Sequence, residues 1–512
     1  MTSLPHTHPT VVHMLADAAE RWPDREALVC STDRLTYKEY FAAVSGFASE
    51  LRELGASGER VALLMGNSVD ICIAMFAAHA AGAQAVPLNP LYTASELQPI
   101  LADAQVHVLL HDDQTCRTVA DAIRNLDLPC IIQLGPAAGR RPADATGGVL
   151  PEPLPRPEGL ATLQYTGGTT GVSKGVNLSH RNIAMNISQR EALLPTATHG
   201  ERILCILPLF HIYGVAMCLH NAVYAGATLV ILPRYTPDAT FALLADEHIS
   251  ILAGSPTVFI GLMSDAQFTA KNFPDLSFSY SGSAPLPAAL LQKWEDATGA
   301  PVLEGYGQSE SGPVISFNPL DGIHKAGSVG LVLPDTQLEI VDAVDGTSVL
   351  DSGQPGEIRI RGPQVMLGYR NRADETAQAL RDGWLYTGDI GELDEDGYLY
   401  IRDRKKDMIL VSGYNVYPRE IEEVLHRHRG VLEAAIISIQ DEYRGETVCA
   451  YIVQAPGHPV DAARLNEYCR KYLAPYKVPR SYEFVDALPK TSVGKVDKLA
   501  LRQRQTSDDP SP

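Results

Sequence analysis

The run Tyr165-Thr166-Gly167-Gly168-Thr169-Thr170-Gly171-Val172-Ser173-Lys174-Gly175 concentrates residue types that can hold phosphate. Glycines let the backbone approach a ligand closely, so successive N–H groups can converge on anionic oxygens. Thr166, Thr169, Thr170 and Ser173 add hydroxyl donors, and Lys174 adds a mobile positive charge. This is not the common P-loop, in which Gly-Lys is followed directly by Ser or Thr; here Ser173 precedes Lys174 and Gly175 follows it. A plain Gly/Thr-rich turn has the same composition, so the loop alone leaves both readings open. Other groups with chemistry of their own follow: Glu310 in a Gly-rich segment, Asp389 in a Tyr-Thr-Gly-Asp turn, Arg404 in a basic run, and Lys495 in a C-terminal Gly-Lys pair. Taken singly, each also suits a bland role as a solvated loop charge or a turn acceptor.

These groups need elements to position them. Helical patterns such as Ser68 to Ala81 alternate with short apolar runs such as Val106 to Leu110 and Ala227 to Leu232 through the first four hundred residues. That alternation predicts an α/β domain with mainly parallel sheet. The Pro-, Gly- and Ala-rich stretch Leu134 to Gly159 reads as a surface connection. A second unit is expected from Asp403: the basic stretch Arg402 to Asp407, a short strand Met408 to Ser412, then a helix opened by Pro418. Its apolar face carries Ile421, Val424, Leu425 and His428, and Gly430 closes it. A further helix is expected after an Asp461 N-cap, with Leu465, Tyr468, Cys469 and Tyr472 at helical spacing before Pro475. The predicted organisation is therefore a large α/β domain of mixed and parallel sheets with helices over residues 1–402, a hinge at 403–407 and a small mobile α+β domain over 408–512. Gln505 to Pro512 read as a disordered tail.

With 45% hydrophobic and 20% charged residues, the 512-residue chain has the make-up of a globular protein of more than one domain. A net charge of −19 would repel a phosphate backbone, which argues against nucleic acid as a partner. The residues from 404 onward nevertheless hold 17 Lys and Arg against 15 Asp and Glu, so a slightly basic unit adjoins a strongly acidic one. The eight cysteines are scattered without CxxC pairs, as expected for free thiols in a reducing compartment. Met1 to Thr10 lacks the pattern of a signal peptide, and the longest apolar stretch, Ile71 to Val86, is interrupted and shorter than a membrane-spanning helix needs. A cytoplasmic protein is expected.

The loop resembles the phosphate-loop signature of the adenylate-forming superfamily of acyl-CoA synthetases, peptide-synthetase adenylation domains and beetle luciferases, and Leu163 to Lys174 fit it at every position. Further segments appear in the family's order: Pro208 to Gly214, Glu304-Gly305-Tyr306-Gly307-Gln308-Ser309-Glu310, Gly356 to Pro363, Gly383 to Asp389, Asp403 to Lys406, and Pro489 to Lys495. Ser309 and Ser173 stand where relatives often have Thr and Pro. The resemblance implies ATP, Mg²⁺ and coenzyme A as ligands, with Glu310 and Thr166 on the metal. It places Tyr306 on the adenine, between Glu304, Gly305 and Gly307, and the strip Ser283-Ala284-Pro285 on the other side of the base. It assigns Asp389 and Arg404 to the ribose and Lys406 to the hinge. Lys174 and His211 are implied to act in catalysis, and Gly413 to let the pantetheine arm pass. Lys495 is implied to bridge the substrate carboxylate and the α-phosphate. The spacing from Pro489 to Gly494-Lys495 also resembles sites at which acetyltransferases silence such ligases and deacetylases restore them.

By the same resemblance, His211, Tyr213, Gly254, Val258, Pro313 and Val314 line the acyl pocket. Their surroundings are apolar with no evident cation for a second carboxylate, so a medium- or long-chain fatty acid is the expected substrate. An aryl acid of the coumarate type, or transfer to a separate carrier protein, is the alternative. A homodimer stays open.

Overall fold

The computed structural model describes residues 4–124, 126–166, 173–196, 200–284, 286–412, 414–441, 445–491 and 495–507. Two large sheets sandwich helices that the apolar pattern could only bury. The seven-stranded sheet runs from Cys130–Leu134 through Leu160–Thr166 and Lys174–Ser179 to an edge strand, Gly368–Tyr369. The nine-stranded sheet is parallel from Val302–Gly307 across to Glu26–Cys30, with antiparallel strands at its edges.

The helix Val69–Ala80 lies in the shared core, and every one of its residues is buried. The Ser68 hydroxyl accepts the Ile71 N–H at its start. Such all-round burial follows from its run of apolar residues, since a helix with no polar face has no side to give to water. Val61 and Leu63 of one sheet and Ile203 and Leu229 of the other pack into the same cluster.

A third, antiparallel sheet joins Gln337–Val341, Gly356–Arg361, Trp384–Leu393 and Leu399–Arg404. The chain then enters the smaller C-terminal domain. Here Ile409–Val411, Tyr414–Val416, Val431–Asp441, Gly445–Gln454 and Ser481–Phe484 form a mixed sheet with its own core. The helices Pro418–His426 and Ala462–Tyr472 cover it, the latter capped by the Asp461 side chain on the Arg464 N–H.

The sheets are mixed as well as parallel, in line with the expected fold class, and the segment after Gln337 supplies antiparallel hairpins. Two expectations are corrected. The helix at Pro418 ends at His426, so His428 lies beyond it and meets the Tyr468 ring instead. Gln505, Thr506 and Ser507 belong to a helix, Lys498–Ser507, rather than to a tail. Its Leu501 is fully buried, and Lys498 and Arg502 pair with Glu422 and Asp407 at 2.9 and 2.8 Å.

Candidate active site

The centre of the site is a hairpin. Trp384–Leu393 and Leu399–Arg404 pair antiparallel with Asp389 directly opposite Arg404. Arg404 Nε sits 2.9 Å from Asp389 Oδ1, and Asp389 is 3% exposed. The Tyr306 hydroxyl, at the end of strand Val302–Gly307, donates to Asp389 Oδ2 at 2.6 Å. Burial and the Asp389 charge hold that phenol well above its usual pKa, so it remains a donor. Gln308 Nε2 reaches the Tyr306 hydroxyl and the Thr387 carbonyl, both at 3.4 Å.

This turn is tight. A Cβ on Gly307 would stand 1.9 Å from the Pro313 carbonyl oxygen, so only glycine allows the chain to fold back and present Glu310. Glu310 follows in a 3₁₀ turn, where its Oε1 accepts the Tyr369 hydroxyl at 2.9 Å.

Thr166 and Lys174 face each other across the paired strands Leu160–Thr166 and Lys174–Ser179. Lys174 Nζ lies 5.2 Å from the centre of the Tyr369 ring. Gly167, Gly168, Thr169, Thr170, Gly171, Pro285 and Gly413 lie outside the described residues.

Lys495 comes from the C-terminal domain. Thr491 and Lys495 close a small loop: the Thr491 N–H donates to the Lys495 carbonyl at 2.7 Å, and the Lys495 N–H to the Thr491 hydroxyl at 3.2 Å. The side chain enters the cleft, where burial and then Arg404 lower its pKa to about 8, against the raising fields of Asp389 and Glu310. His211 feels it too: burial, then Lys495, push the imidazole down to about 3, so His211 is neutral. The fold thus brings Lys495, His211, Arg404, Asp389 and Glu310 from separate segments into one electrostatic neighbourhood.

The remaining candidates fall into those expected at the nucleotide and those expected at the acyl chain. Glu304 is buried and accepts the N–H of Leu286, two residues beyond Ala284, at 3.0 Å; burial raises its pKa to about 7. The Tyr213 hydroxyl donates to the Gly254 carbonyl at 3.3 Å, and Val258 is buried beside Gly254. Gly305 packs against Phe317. Val314 is held by both groups of the Asn186 amide, at 3.0 and 2.8 Å. Pro313 borders a narrow apolar cavity of about 20 Å³, with Met75, Ile212, Val215 and His220 among its walls. Lys406 sits in the turn after Arg404, its pKa lowered by burial.

Sequence reasoning missed Gln308 as a ligand of this network, and Tyr369 altogether. Gln308 could have been found from its place between Tyr306 and Glu310. Tyr369 gives no such signal, since only the pairing of its short strand beside Lys174–Ser179 brings it here.

Two families match the chain: AMP-binding enzyme over residues 15–370, and AMP-binding enzyme C-terminal domain over residues 420–495. A long-chain-fatty-acid–CoA ligase of Bacillus subtilis (strain 168) is 37% identical, aligned over 99% of this chain and 96% of its own. Among solved structures, ATP-bound MatB from Rhodopseudomonas palustris is 31% identical, with a TM-score of 0.89 over 96% of this chain and 98% of its own. The apo form of MatB from the same organism gives a TM-score of 0.80 at 32% identity, over 97% and 98% of the two chains. The ordered motifs, the two-domain fold and these full-length matches converge: the chain belongs to the adenylate-forming superfamily of AMP-binding enzymes.

Proposed function

We propose that the enzyme is an ATP-dependent fatty acid–CoA ligase, acting on medium- or long-chain acids. In the first half-reaction a carboxylate oxygen attacks the α-phosphorus of ATP and pyrophosphate leaves, giving acyl-AMP. In the second, the coenzyme A thiol loses its proton, its sulfur attacks the acyl carbonyl, and AMP leaves. The full-length likeness to a long-chain-fatty-acid–CoA ligase supports both the acid class and the acceptor.

The observation that carries the reading is the Lys495 side chain among Arg404, Asp389, Glu310 and His211. Two anions must meet for the first step, and a cation between them offsets their repulsion and stabilises charge building on phosphorus. Asp389 and Arg404 then hold the ribose, Tyr306 faces the base, and Lys174 draws the leaving pyrophosphate. Neutral His211, at the mouth of the acyl pocket, adds no charge of its own to oppose Lys495.

Glu310 and the Thr166 hydroxyl fit Mg²⁺. They are hard oxygen donors, and no group of three His, Cys, Asp or Glu side chains poised for a metal occurs among the described residues. Such a sparse set suits an ion that keeps its waters and takes other ligands from phosphate. When bound, Mg²⁺ would offset triphosphate charge.

In the same reading, residues 1–402 form the fixed body and 408–512 rotate about 403–407 between half-reactions, with Lys406 at the pivot and Gly413 admitting the thiol arm. The higher similarity to the ATP-bound than to the apo relative supports an adenylation arrangement here. Acetylation of Lys495 would remove the bridging charge and silence the first step. A cytoplasmic setting supplies both ATP and coenzyme A.

The test is acid-dependent exchange of labelled pyrophosphate into ATP, screened over fatty, aryl and short acids. Fatty acids should drive it best, and coenzyme A should discharge the acyl-AMP. Exchange with no acid at all would end the proposal.

A further inference from the structure

We propose that Tyr369 is a positioning residue for the triphosphate end of the site, tying the Glu310 carboxylate and the Lys174 ammonium to one side chain. The inference rests on the reading of Glu310 as the Mg²⁺ ligand. Its hydroxyl donates to Glu310 Oε1 at 2.9 Å, and its ring lies 5.2 Å beneath Lys174 Nζ.

The backbone repeats the same connection. Gly368–Tyr369 pairs with Asn177 and Val176 on the strand that begins at Lys174, and the Arg370 N–H donates to the Gly175 carbonyl at 2.8 Å. Three residues before Tyr369, the Met366 N–H donates to the Glu310 carbonyl at 2.9 Å. The segment from 366 to 370 is therefore sewn to the Glu310 turn at one end and to the phosphate-loop strand at the other. Tyr369 sits between these seams, where a phenol can orient one oxygen of the carboxylate and leave the other to a cation. Its ring face meanwhile offers Lys174 a resting place that a phosphate can displace, because a partly solvated cation–π contact is weaker than a charge-assisted hydrogen bond.

The experiment compares wild type, Tyr369→Phe, Tyr369→Leu and Glu310→Gln by Mg²⁺ titration of pyrophosphate exchange and by calorimetric binding of ATP with Mg²⁺ or with chelator. Tyr369→Phe should raise the Mg²⁺ needed for half-maximal exchange roughly tenfold, the worth of one hydrogen bond to a charged group. Its ATP binding in chelator should match wild type. Tyr369→Leu should show the same Mg²⁺ shift and, in addition, weaken ATP binding in chelator by about two- to fivefold through loss of the ring beneath Lys174. A wild-type Mg²⁺ midpoint in Tyr369→Phe, alongside a shifted one in Glu310→Gln, would overturn the positioning role while leaving Glu310 as metal ligand. An unshifted midpoint in Glu310→Gln would overturn the metal reading, and the inference with it. Uniform loss of exchange in both Tyr369 variants, without a change in Mg²⁺ midpoint, would mean that Tyr369 only supports the fold.

Discussion

Arg404 and Lys495 bring positive charge to the same cleft by opposite means. Arg404 ends a strand, faces Asp389 across a regular hairpin, and is fixed on a buried carboxylate that Tyr306 also grips. Lys495 projects from a small loop closed through Thr491, on the domain that carries its own core. One cation is fixed within a sheet; the other reaches in from a separate domain. In the proposed function the difference suits two tasks, since a ribose would be held throughout the cycle whereas a bridge between carboxylate and phosphate is needed only in its first half.

The strongest way to test that contrast is Lys495→Ala. Acyl-AMP formation should fall on the order of 10²–10³-fold, the usual cost of one transition-state contact. Thioester formation from supplied acyl-AMP should persist; equal loss of both would break the contrast. Next in size is the response to pH. The Lys495 pKa is lowered to about 8, so its charge is present below that value and lost above it. Adenylation should therefore decline by about tenfold per unit as pH rises beyond 8, and Lys495→Arg should move that alkaline limb upward, because guanidinium keeps its proton to about 12. The stability effect has the opposite sign: an unfolded lysine holds its proton to about 10.4, so raising pH between these values relieves a folding cost. Asp389→Asn is expected to matter less for chemistry and more for binding, raising the KM for ATP about tenfold for one charged hydrogen bond and moving the alkaline limb downward, because the Asp389 charge that raises the Lys495 pKa is gone. Glu304→Gln should be smallest, about two- to threefold in the KM for ATP, since the amide can still accept the Leu286 N–H. Steady-state kinetics of pyrophosphate exchange from pH 6 to 10 read the adenylation effects, AMP release from supplied acyl-AMP and coenzyme A reads thioester formation, and denaturant unfolding over the same pH range reads stability.

Much of this was legible before any coordinates. Ser68 and Asp461 carry the cap chemistry that starts their helices, and the motif order led to Lys174, Glu310, Asp389 and Arg404. What escaped is instructive. Nothing local distinguishes the hairpins after Gln337 from short β–α strands, because pairing direction depends on partners far away in sequence. The end of the chain reads as polar and frayed, yet Leu501 buried between the Lys498 and Arg502 ion pairs turns it into a helix. Tyr369 follows the same logic, since its importance lies in two neighbours, one nearly two hundred residues away.

The arginine that grips Asp389 is followed at once by Lys405, bound to Glu357 at 2.8 Å, and then by Lys406 and by Asp407, anchored by Arg502. In the proposed reading, any change that made the grip on AMP firmer would also stiffen the segment on which the smaller domain turns, so that affinity for product and speed of turnover would be geared together.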